Sequence, residues 1–99
     1  MNDLSPRTQE LLGILEEECA EIIQAISKMR RFGLMSYNPT DESKTPNITH
    51  LINEIGDVKG VVEMLQETEL SSFNFNPEAF KFYSDKKKLK VPKYLKNKQ

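Results

Sequence analysis

Leu11, Leu12, Ile14, Leu15, Cys19, Ile22, Ile23, Ile26 and Met29 recur at helical spacing, and Ile48, Leu51, Ile52, Ile55, Val58, Val61, Val62 and Leu65 repeat the pattern. A chain with two such apolar stripes has to bury them against each other or against another copy, which predicts an all-α helical bundle. Ser5-Pro6 supplies an N-cap and a first helical residue, and Gly33 follows the basic end Lys28-Met29-Arg30-Arg31, so the first helix is expected over residues 5–31. The second runs from Asn47 or Thr49 to Glu67. Asn76-Pro77 opens a third helix over residues 77–89, with Ala79, Phe80, Phe82, Tyr83 and Leu89 to pack and Pro92 to end it. Residues 34–46 and 68–76 read as connections, and no β pattern or internal repeat competes. Gly56 lies inside the second helix at a cost of roughly 1 kcal/mol against Ala, which suggests a close approach by another helix or a ligand.

The 99 residues make one small domain, 37% hydrophobic and 29% charged, so a second copy is an expected source of missing core. Ile23, Ile26, Val58, Val62 and Leu65 are the apolar residues expected to stay uncovered in one chain. Nothing is apolar enough to span a membrane, and the first residues lack a basic start followed by an apolar run, so the expected location is the cytoplasm. Cys19 is the single cysteine, cannot form an internal disulfide, and is expected as a small buried residue. The net charge of −1 hides an asymmetry: residues 1–80 carry 6 Lys/Arg against 14 Asp/Glu, while 81–99 carry 8 Lys against one Asp. The basic tail is either solvated or an anion contact; the acidic body disfavours nucleic acid.

Acidic residues interrupt both stripes. At about 100° per residue Glu18 projects into the apolar sector of the first helix, Glu21 lies at its edge and Glu17 further out. In the second helix Glu54 shares a ridge with Val58, Val61 and Leu65, and Asp57 follows one turn along at the margin. Like charges one turn apart destabilise a helix by roughly 0.2–0.5 kcal/mol per pair, and inward-facing carboxylates without a partner cost more. Salt bridges to Arg30, Arg31 or Lys59 would relieve this only in part. A shared hard cation, Mg²⁺ or alternatively Mn²⁺, accounts for Glu18, Glu21, Glu54 and Asp57 together, and such ions complete their coordination with water and phosphate oxygens. His50 is a poor ligand for so hard an ion.

Glu17-Glu18-x-x-Glu21 followed by Glu54-x-x-Asp57, over residues 10–67, resembles the MazG-like all-α nucleoside triphosphate pyrophosphohydrolases, and Glu18 to Gly33 is similar to their short single-domain members. The interval from Glu21 to Glu54 is longer than is common there, with Leu34 to Pro46 as an inserted loop. The resemblance implies Mg²⁺-dependent hydrolysis of a nucleoside triphosphate between its α- and β-phosphates. It implies Glu18, Glu21, Glu54 and Asp57 as metal ligands, Glu17 as the residue that orients or deprotonates the attacking water, and a homodimer or homotetramer. Lys81, Lys86 and Lys87, with Arg30 behind them, are candidates to hold the leaving pyrophosphate; Phe32, Tyr37 or Phe80 could stack on the base, though packing is the commoner role for an aromatic. Two other classes compete. A catalytically silent helical regulator would keep the fold to bind a nucleotide or partner, and an adaptor or DNA-binding helical protein would need basic and exposed apolar residues on a single helix face, where this chain gathers its basic residues in its tail.

Overall fold

The computed structural model describes residues 3–97, which are all-α. α1 spans Pro6–Phe32, α2 Asn47–Leu65 and α3 Pro77–Lys90, with 3₁₀ turns at Glu69–Phe73 and Val91–Lys93. α1 and α3 begin at side-chain caps. The Ser5 hydroxyl accepts from the Thr8 amide at 3.1 Å and the Asn76 side chain from the Ala79 amide at 2.9 Å, each satisfying a donor that the first helical turn leaves free. α1 ends where Gly33, at φ 95°, donates its amide to the Met29 carbonyl at 2.9 Å, a backbone conformation that suits glycine.

α1 and α2 pack antiparallel, tied at both ends. At one end the Asn47 side chain donates to the Gly33 carbonyl at 3.0 Å, and the Ile48 amide to the Leu34 carbonyl at 2.9 Å. At the other, Glu69 accepts from the Ser5 amide at 2.6 Å, the Ser5 hydroxyl at 3.1 Å and the Thr8 hydroxyl at 2.6 Å. Leu11, Ala25 and Leu65 form the buried apolar core, and Thr8 is buried among them.

Several expectations are corrected here. Leu65, expected to stay uncovered, is fully buried within the chain because it lies on the α2 line that faces α1. Cys19 is exposed, since it sits off that line. Gly56 meets nothing within 4 Å of where a Cβ would stand, so no other helix of the chain approaches it closely. On α3 only Ala79 and Phe80 are half-buried, Phe80 packing edge-on against Phe75 at 4.9 Å; residues 81–90, with Phe82, Tyr83 and Leu89 among them, are all exposed.

Candidate metal and nucleotide site

Glu18 and Glu21 stand one turn apart on α1, opposite Glu54 on α2, and one carboxylate oxygen from each lies within 4.8 Å of the other two. Antiparallel packing brings the two helices' acids to one level. One oxygen of Glu18 and one of Glu54 are buried without a hydrogen-bond partner. Glu54 is pushed up to about 7, first by a hydrogen bond with Glu21, then by burial and by the negative charges of Glu21 and Glu18. Among the described residues the ion pairs are His50 with Asp41 and Lys81 with Asp85, so neither Arg30, Arg31 nor Lys59 neutralises the acidic group.

The donor set fits a hard divalent cation. Three carboxylates offer oxygen ligands only, and two buried oxygens without partners are the kind of group that a cation satisfies. Asp57 and Glu17 are exposed and lie outside the 4.8 Å cluster, Asp57 one turn beyond Glu54 and Glu17 beside Glu18.

Glu21 and Glu54 also form one end of a cleft of about 850 Å³ between α1, α2 and the 34–46 loop. Lys28, Phe32, Tyr37, Asp41 and His50 line the rest of it. Phe32 and Tyr37 therefore have a surface on which a ring could stack, while Phe80 lies elsewhere. Lys81, Lys86, Lys87 and Arg30 do not line this cleft. Lys81 is held by Asp85 at 2.7 Å, and the Lys86 ammonium stands over the Phe82 and Tyr83 rings. The cation that does face the cleft is Lys28, two turns along α1 from Glu21; counting seven residues on from Glu21, nearly two full turns, places it on the same side.

The loop is folded on itself. Asp41 accepts from the Ser43 hydroxyl at 2.7 Å and from the amides of Ser43 and Thr45, contacts that hold its carboxyl below the usual range. His50 on α2 approaches Asp41 to 3.7 Å, joining the loop to the cleft wall. Comparison of the chain with protein-family models, with curated proteins and with solved structures finds no match.

Proposed function

We propose that this chain is a Mg²⁺-dependent nucleoside triphosphate pyrophosphohydrolase that yields a nucleoside monophosphate and pyrophosphate. The observation that carries the reading is the convergence of Glu18, Glu21 and Glu54 from two helices, with two of their oxygens buried and unpartnered, at one end of a cleft lined by aromatic rings and a lysine. Glu18, Glu21 and Glu54 would hold Mg²⁺, or Mn²⁺, with Asp57 joining from the exposed side. The bound ion would supply neutralisation of the polyphosphate and a lowered pKa for its water.

The chain's own residues perform the remaining work. Phe32 and Tyr37 take the base on their ring faces, and Lys28 balances phosphate charge from the cleft wall. Glu17, exposed beside Glu18, accepts the proton of the attacking water. The water oxygen bonds to the α-phosphorus as its bond to the bridging oxygen breaks, and pyrophosphate leaves with the electron pair.

The test is a screen of common NTPs and dNTPs with Mg²⁺ that resolves the products. Monophosphate and pyrophosphate in equal amounts are expected; free phosphate as the main product contradicts the cleavage site. A catalytically silent nucleotide-binding protein is the second reading, favoured by the exposed placement of Asp57 and Glu17, and saturable nucleotide binding without turnover would decide for it.

A further inference from the structure

His50 is a cleft residue to which the proposed chemistry gives no part. It is the one histidine of the chain, it lines the cleft, and it is a poor ligand for a hard cation. Helix rise fixes its level. At about 1.5 Å per residue, His50 stands about 6 Å along α2 from Glu54, and Ala25 stands about 6 Å along α1 from Glu21. Antiparallel packing puts these two opposite each other on the cleft walls, and the small Ala25 leaves room before the imidazole. Further from the acids come Lys28 at about 10 Å and Phe32 at about 16 Å along α1, where the 34–46 loop brings Tyr37 into the cleft.

Side chains lean toward the N-terminus of their own helix. Because α1 and α2 run in opposite directions, Lys28 leans back toward the acids, whereas His50 leans away from them and toward the loop. There its Nε2 stands 3.7 Å from an Asp41 oxygen. Asp41 is itself fixed and kept charged by the Ser43 hydroxyl at 2.7 Å and the amides of Ser43 and Thr45 at 3.0 and 3.2 Å. A carboxylate on that side favours the tautomer with its proton on Nε2, which leaves Nδ1 an acceptor. Among the described residues the imidazole pairs with Asp41 alone. It is half-exposed, so a ligand in the cleft can reach it.

In a nucleotide the sugar joins the α-phosphate to the base, and in the cleft His50 stands between the carboxylates and the rings of Phe32 and Tyr37. Resting on the nucleotide reading of the cleft, we propose that His50 is a specificity residue whose Nδ1 accepts a hydrogen bond from the 3′-hydroxyl of the sugar, with Asp41 as the positioning residue that holds the ring. The 34–46 loop thereby takes part in sugar recognition through Asp41.

The common dNTPs and their 2′,3′-dideoxy counterparts, each with Mg²⁺, test this on the wild type and on His50→Ala, an exposed helical position whose change leaves the fold intact. In the wild type, loss of the 3′-hydroxyl should raise KM, and Kd measured by calorimetry, at least ~5-fold, the order of one neutral hydrogen bond. His50→Ala should raise both by the same factor for dNTPs and leave the dideoxy values unchanged, since each change removes the same contact. Asp41→Asn keeps the imidazole but removes the charge that orients it, and should lose part of the discrimination between the two sugars. The single imidazole Hε1 resonance should move when Mg²⁺ and a dNTP are added, and stay in place with Mg²⁺ and pyrophosphate. Equal values for both sugars in the wild type, additive losses in the cycle, or a resonance that pyrophosphate moves as far as a dNTP does overturns the proposal. Binding that shows the sugar cycle without turnover keeps it and rejects the hydrolase; turnover without sugar discrimination does the reverse. A chain that binds no nucleotide rejects both.

Discussion

Two glutamates titrate in opposite directions because their neighbours differ. Glu69 is held at about 2 by the Ser5 amide first, then by the Thr8 hydroxyl, all donors to the charged form. Its contribution to stability is complete above the ordinary carboxyl value and is lost as pH falls from about 4.5 through 2. Glu54, raised to about 7 among two other acids, behaves oppositely: the folded state holds its proton more tightly, so its contribution is complete below about 4.5 and is lost as pH rises through 7. In EDTA, thermal midpoints should therefore fall on both sides of pH 4.5. Glu69→Gln should flatten the acid side and Glu54→Gln the neutral side; a melt series on the two variants checks each. Glu18→Gln, Glu21→Gln and Glu54→Gln should each lower turnover by at least ~10²-fold, as metal-assisted stabilisation is worth several kcal/mol. Near-wild-type rates in two of them would remove the proposed site.

Gly33 and Gly56 predict opposite signs. Gly33 closes α1 at φ 95°, where a Cβ is strained, so Gly33→Ala should cost about 1 kcal/mol or more. Gly56 is an interior α2 residue with open space around it, so Gly56→Ala should gain about 0.5–1 kcal/mol. Urea denaturation of both, with unchanged slopes, would separate these effects from a change in compactness. The basic α3 shows why an element's pattern and its placement are different matters. Asn76 and Pro77 specify where it begins, but nothing local decides what its rings at Phe82 and Tyr83 touch.

Across the whole molecule, the carboxylate cluster and the cleft should respond to ligands together. Mg²⁺ bound only by the folded state would stabilise it by about 2.7 kcal/mol at a hundredfold excess over Kd. Melts in millimolar Mg²⁺ against EDTA should shift upwards, and identical midpoints would argue that no cation is shared. Phe32→Ala with Tyr37→Ala should raise KM for a nucleoside triphosphate more than it lowers kcat, since stacking serves substrate and transition state alike.

Helix positions were legible in the chain because caps and apolar periodicity act over a few residues: Ser5, Gly33, Asn47 and Pro77 mark ends that the folded protein keeps. Glu18, Glu21 and Glu54 could be picked out for the same reason, as charges standing on an apolar ridge. What the chain did not reveal was decided between elements. The antiparallel approach of α1 and α2 brought three acids within 4.8 Å and left Asp57 and Glu17 outside. The folded 34–46 loop made Lys28, and not the lysines of α3, the cation of the cleft. Rotation about each helix axis is set by the sequence, but which sides meet, and which remain exposed, follows from packing that only the tertiary structure specifies.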